Sequence, residues 1–206
     1  MDKGYKLVLL SDMIEELGEK ETNSFLSEFS CPKNKDVETF LKKKAILFSK
    51  QGTAQTHLVF YVENNQKFFV GYFALAIKNF DIELTNKNLS SKLTKRLNRF
   101  VYYDKTNKVN RMSTILIGQL GKNYNNDNNN LITGDKLLRF ACDKVKEVQK
   151  IAGGKFVYLE CEDKSCLTEF YTRNGFLNFG IRKLDRDERD SLSGNYLMQM
   201  IKFLGN

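Results

Sequence analysis

A mixed α/β fold, α+β in arrangement, is what this sequence predicts, on three observations. Residues 57–62 (HLVFYV) and 68–77 (FFVGYFALAI) are nearly continuous apolar runs of strand length, separated by the turn-forming cluster Glu63-Asn64-Asn65-Gln66. They read as an antiparallel hairpin in the interior of a sheet. Residues 114–120 (TILIGQL), a helical pattern from Thr133 or Gly134 to Ile151, and residues 156–160 (FVYLE) read strand, helix, strand. The chain has 206 residues, enough for one domain with a real core and short for two. One domain over 1–206 is therefore expected, with an N-terminal helical pair at 12–50 and an insert at 79–110.

The elements justify themselves in order. Lys6 to Leu10 is a first strand. Ser11 and Asp12 are suited to cap a helix over Met13–Phe29, with Ile14, Leu17, Phe25, Leu26 and Phe29 at helical spacing. Cys31-Pro32-Lys33-Asn34 breaks the chain. A second helix spans about Lys35–Lys50, striped by Val37, Phe40, Leu41, Ala45 and Phe48, and Gln51-Gly52 closes it. After the hairpin, Ser90–Tyr102 reads as a basic amphipathic helix with Leu93, Leu97 and Val101 inward and Lys92, Lys95, Arg96 and Arg99 outward. That face is either a phosphate-contacting surface or a solvated helix face. Residues 166–174 read as a short helix ended by Gly175, and residues 176–183 as a strand.

Composition narrows the partners. The net charge of +8 and a pI near 9.2 favour polyanions such as nucleic acid or a phosphate-bearing cofactor, although the lysines are spread along the chain. Cys31, Cys142, Cys161 and Cys166 form no C-x-x-C pair and His57 is the one histidine, so no metal site is expected. The apolar run at the N-terminus, Leu7–Leu10, is too short for a signal peptide or a membrane span. A reducing cytoplasmic setting without a membrane partner is the expectation.

The stretch from Ile115 to Phe179 carries the chemistry. A strand that feeds a loop and a helix N-terminus leaves unpaired N–H groups and a positive dipole end, which suits a pyrophosphate. Three pieces add specificity. They are Gly134-Asp135-Lys136-Leu137-Leu138, the strand Val157-Tyr158-Leu159-Glu160, and Phe170-Tyr171-Thr172-Arg173-Asn174-Gly175-Phe176. Together they resemble the Gcn5-related N-acetyltransferase (GNAT) superfamily over about residues 114–183. The last piece is similar to that family's closing FY-x-x-x-GF segment, and the hairpin residues Val70–Ala76 fit its central strands.

The resemblance implies a mixed, mostly antiparallel central sheet with two splayed parallel strands, 115–120 and 156–160, and helices on both faces. It implies acetyl-CoA as acyl donor and direct transfer to an amine. Backbone groups around Gln119, Leu120 and Gly121 would meet the pantetheine. Lys122, Asn129, Asn130, Ile132, Thr133, Gly134 and Asp135 would form the phosphate loop, and Asn174 joins the cofactor set. Alignment on Leu137-Leu138 places the family's loop Gln/Arg near Asn129 and its first glycine near Ile132. Gly134 alone of the loop glycines is kept, with Lys122, Lys136 and the Asn side chains as compensating groups.

Tyr171 matches the family's general acid for the departing thiolate; otherwise it is an aromatic packing residue. Glu160 and Glu162 are candidate bases, with helix capping the competing role for Glu162 and Asp163. Cys161 lacks a histidine partner for covalent catalysis, so direct transfer is expected. The basic chain and its two leading helices also resemble the branch of toxins that acetylate aminoacyl-tRNA, which makes tRNA a candidate acceptor beside a protein or small amine. The insert at 79–110 would serve as lid, homodimer contact or acceptor platform. The alternative is a catalytically weak or inactive module of this fold that binds acyl-CoA or nucleic acid.

Overall fold

The computed structural model describes residues 4–84, 89–186, 192 and 194–205. The chain divides into two units, each with its own core. The first contains the residues up to Ala76 together with Ile117–Lys144; the second contains Ile77–Leu116 and the chain from Val145 onward.

In the first unit, β1 (Tyr5–Leu9) pairs antiparallel with β2 (Gln55–Glu63), and β2 with β3 (Gln66–Asp81). The hairpin turn is the one expected. Asn64 and Asn65 take φ of 48° and 62°, the two left-handed positions of a type I′ turn, which asparagine tolerates. The end of β5 (Val109–Lys122) lies beside β3, so both hairpin strands are interior as the apolar runs predict.

The helices depart from the expected pair. The first is broken into α1 (Leu10–Leu17) and α2 (Glu19–Ser27) at Gly18, whose φ of 83° and ψ of 162° no helix accommodates. The helix begins one turn earlier than predicted. Ser11 and Asp12 therefore lie inside its first turn and do not cap it; Asp12 still meets the positive end of the dipole. The second expected helix is three pieces: α3 (Lys35–Thr39), a π-helical turn at Phe40–Lys44, and α4 (Ala45–Gln51). The Asn34 side chain caps α3 by accepting from the Val37 N–H at 3.1 Å, and Gly52 closes α4 at φ 68°. Leu10, Leu26, Phe29, Leu41, Leu58 and Tyr72 are fully or almost fully buried in this core. Each such side chain contributes about 1.5–3 kcal/mol of transfer free energy.

The second unit holds β4 (Val101–Asp104), the first part of β5, β6 (Phe156–Glu162), β7 (Leu177–Lys183) and β8 (Tyr196–Phe203). β8 lies between β6 and β7 and is antiparallel to both. The sequence reading stops at Lys183 and leaves β8 unassigned. β5 and β6 form the parallel pair, in register at Ile115↔Val157 and Leu116↔Tyr158. The whole strand order is β1-β2-β3-β5-β6-β8-β7, with β4 on β5. This is the mixed, mostly antiparallel sheet that the resemblance implies.

The predicted basic helix at 90–102 is shorter. α5 is Ser91–Leu97, and from Val101 the chain turns into β4, where the β-prone run Val101-Tyr102-Tyr103 pairs with Asn110–Met112. Leu97 is buried and Leu93 and Val101 pack on the same core, as expected. Lys92, Lys95 and Arg99 are exposed, whereas Arg96 is half-buried with its guanidinium 4.4 Å from the centre of the Phe203 ring. Residues 85–88 of the insert lie outside the described residues. No helix of the described residues is long and apolar enough to cross a membrane.

Candidate active site

In the second unit, the segment Phe170–Phe176 folds as its sequence suggests. α7 (Ser165–Arg173) ends at Gly175, whose φ of 81° reverses the chain, and the Phe176 N–H closes the turn on the Tyr171 carbonyl at 3.0 Å. Asn174 is spent on this turn. Its amide donates to the Phe170 carbonyl at 2.9 Å, and its own carbonyl accepts from Lys202 at 2.7 Å. That arrangement gives Asn174 a capping role in the turn.

Tyr171 meets Phe170 and Phe176 edge to face, with ring centroids at 4.9 and 5.8 Å. The residue is half-buried. Burial raises the phenol well above its ordinary value, and the nearby Cys161 adds to the rise. Among the described residues the Tyr171 hydroxyl makes no hydrogen bond. Its proton is uncommitted, as a general acid requires. Cys161 is buried and its thiol is pushed up to about 12, by burial first and then by Asp163 and Glu162. A neutral, buried thiol is a poor nucleophile.

The two candidate carboxylates alternate with Cys161 on β6 and so point to its other face. Both are engaged. Glu160 accepts two bonds from the Arg182 guanidinium, at 2.8 and 2.7 Å, and one from the Tyr158 hydroxyl, which itself accepts from Gln199 at 2.9 Å. This fork-on-fork pair ties β6 to β7 and occupies both oxygens that a base would use. Glu162 is buried and pairs with Lys164 at 2.9 Å. As for capping, Asp163 instead accepts from the Tyr196 hydroxyl at 2.9 Å, and α7 begins at Lys164 without a side-chain cap.

In the first unit, the end of β5 and the loop after it hold the residues expected to meet the phosphates. Side chains along β5 alternate. Gln119 donates to Asp36 at 2.9 Å, and a Cβ on Gly121 would stand 2.4 Å from a Val37 methyl, so these two residues face α3. Lys122 turns the other way and donates to the carbonyls of Asn129 at 2.9 Å and Ile132 at 3.2 Å. Burial lowers its ammonium from the ordinary value, and Lys33 adds to that. The Asn-rich loop is a 3-10 segment, Asn125–Leu131, with left-handed positions at Asn126 and Asp127, as its composition predicts. The Asn129 amide donates to Asn130 at 3.1 Å, Ile132 is buried, and the Thr133 hydroxyl accepts from the Lys136 N–H at 3.2 Å to begin α6 (Gly134–Ala152). Hydrogen bonds therefore join Lys122, Asn129, Asn130 and Ile132 into one cluster. Gln119 has its side chain committed elsewhere, and Leu120 and Gly121 keep only backbone groups to offer.

Sequence reasoning missed Arg182 and Gln199, because their strand partners are set by β8, which it did not assign. It also missed Asn123. This residue is buried at the root of the loop, donates to the Phe69 carbonyl at 2.9 Å, and accepts from Ser30 and Asn125 at 3.1 Å each. Among the described residues no cluster of three or more metal-ligating side chains occurs.

The chain has the GNAT fold. KacT, in a tyrosine-to-phenylalanine mutant, shares it with a TM-score of 0.61 at 15% identity, over 95% of this chain and 94% of that one. AtaT complexed with acetyl-methionyl-tRNAfMet does so with 0.60 at 14% identity, over 94% and 93%. AtaTR bound with AcCoA aligns with 0.51 at 14% identity, over 96% and 93%. In sequence the chain matches no protein-family model and no curated protein.

Proposed function

We propose that this protein is an acetyl-CoA-dependent N-acetyltransferase that moves an acetyl group directly to an amine, with Tyr171 as general acid and the α-amine of an aminoacyl-tRNA as acceptor. The observation that carries the reading is the Tyr171 hydroxyl: on a half-buried side chain, without a hydrogen-bond partner among the described residues, and set in the FY-x-x-x-GF turn of this fold. The AcCoA and acetyl-methionyl-tRNAfMet bound to proteins of the same fold support the choice of donor and acceptor.

Bound acetyl-CoA would supply an activated thioester. The residues of this chain then do three things. The loop around Lys122, Asn129, Asn130, Ile132, Thr133 and Gly134 offers donors and positive charge to the pyrophosphate. Backbone groups of residues 119–121 on β5 offer strand-like hydrogen bonds to an extended arm, and an N–H there meets the charge that develops on the thioester oxygen. Tyr171 releases its proton to the departing sulfur as the amine nitrogen bonds to the acetyl carbon, and is reprotonated from the amine through solvent.

The engaged state of Glu160 and Glu162 bears on the acceptor. Neither carboxylate is poised to deprotonate a strongly basic amine. A lysine ε-amine titrates near 10.4, whereas an α-amine titrates at about 7.7–8.0 and is substantially neutral at physiological pH. An α-amine acceptor therefore fits a site without a strong base. Incubation of charged tRNA with labelled acetyl-CoA tests this directly. Label is expected in the tRNA fraction as an acetylated aminoacyl group. Its absence across a full set of amino acids, with thiol release against other amines, would exclude tRNA as acceptor. The glycine-poor loop favours one second reading, a module that binds acyl-CoA without turnover; tight binding with no thiol release against any amine would select it.

A further inference from the structure

We infer that Lys122 is the positioning residue of the phosphate loop: its ammonium sets the direction of the Ile132–Thr133 peptide so that the Thr133 N–H faces the pyrophosphate of the donor. This inference rests on the acetyl-CoA reading above. Lys122 ends β5 and spends two of its three protons on the carbonyls of Asn129 and Ile132. In a trans peptide the C=O and the following N–H point to opposite sides, and no peptide here is cis. The bond to the Asn129 carbonyl ties Lys122 to the end of the 3-10 segment. Drawing the Ile132 carbonyl toward Lys122 turns the Thr133 N–H away from it. Among the described residues the Thr133 N–H donates to no acceptor.

Two further features fit this role. From Lys122 to Thr133 the chain contains no glycine, so the loop obtains its shape without glycine's freedom. Its left-handed positions fall on Asn126 and Asp127, and its peptide directions are fixed by a side chain instead. The same two carbonyl oxygens would repel a polyphosphate if they turned outward. Bonding them to an ammonium removes that repulsion and adds a positive charge behind the loop. The partial burial of Lys122 keeps this charge under-hydrated and strengthens both bonds.

Calorimetry with acetyl-CoA and with S-acetylpantetheine, which lacks the pyrophosphate, separates this role from general stabilisation. Lys122→Met is expected to weaken acetyl-CoA binding about 10- to 100-fold, the size of one or more charge-assisted hydrogen bonds. Affinity for S-acetylpantetheine should stay unchanged, and Lys122→Arg should recover part of the loss. Unaltered acetyl-CoA affinity in Lys122→Met, or equal loss for both donors, would overturn the inference. A wild-type protein that binds neither donor would remove the enzyme reading itself, and the role of Lys122 with it. Should Lys122→Met fail to fold, amide NMR of the wild type titrated with inorganic pyrophosphate decides. A shift at the Thr133 N–H supports the inference, and shifts that spare it refute it.

Discussion

Replacing Tyr171 with Phe removes one oxygen from the candidate site and changes little else. The Tyr171 ring is held edge-on by Phe170 and Phe176, and phenylalanine keeps both contacts. The hydroxyl lost has no hydrogen-bond partner among the described residues, so no buried group is orphaned and stability should move by less than about 0.5 kcal/mol. Catalysis should respond differently. A positioned general acid contributes about 10²- to 10⁴-fold, or roughly 2.7–5.5 kcal/mol of barrier at 1.36 kcal/mol per decade. Thiol release with a saturating amine should therefore lose about that factor in kcat, with KM for acetyl-CoA little changed. The pH profile supplies the sign. The folded-state phenol holds its proton more tightly than the unfolded one. Its protonated form, and the stability linked to it, persist below the ordinary value of about 10 and are lost only as pH rises through the raised folded value. No alkaline loss of kcat from this group is expected up to about pH 9. A Tyr171→Phe enzyme within about twofold of wild-type kcat, as against the general-acid factor above, would refute the role assigned to the phenol.

Four further outcomes are expected. Arg182→Met strands the nearly buried Glu160 carboxylate with Tyr158 as its remaining partner, and should lower unfolding free energy by about 3–5 kcal/mol in a denaturant titration. Thr56→Val should leave stability unchanged or raise it by about 1 kcal/mol in the same titration, because the buried Thr56 hydroxyl has no partner among the described residues. Gly121→Ala drives a methyl into Val37 and should destabilise by about 1–3 kcal/mol, with much of the loss recovered by adding Val37→Ala; thermal melts of the four variants form the cycle. A thiol reagent at neutral pH should label Cys166 quickly. Cys161 should react slowly, since its thiol is pushed up to about 12, and Cys31, raised by burial, should do likewise; mass mapping after timed quenching reads out each site.

Much of the fold was legible because its strongest signals are local. The Asn64-Asn65 turn, the Gly52 and Gly175 caps and the long stripe of α6 each depend on a few neighbouring residues, and each stands where the sequence places it. The misses are of another kind. Nothing in the spacing of Leu17 and Phe25 distinguishes one helix from two, and Gly18 alone decides it through its backbone angles. The π-helical turn at Phe40–Lys44 shifts an apolar stripe that reads as uniform. Val101-Tyr102-Tyr103 continues the periodicity of α5 but is captured by pairing with β5, a long-range effect that local propensity does not contain. At the candidate site, the turn that holds Tyr171 was readable from its motif. The commitment of Glu160 to Arg182 was not, since it joins residues 22 positions apart through strands ordered by β8.

The division of the chain sets a schedule for its synthesis. The first unit is assembled from two stretches of sequence, with forty residues of the second unit between Ala76 and Ile117. When the ribosome has released β1, β2 and β3, the strand that completes this part of the sheet, Ile117–Lys122, has not yet been made. The loop at 125–133 follows later still, and the Tyr171 segment after it. On the reading proposed above, the groups of the candidate site would come together only after residues 117–176 have all been made.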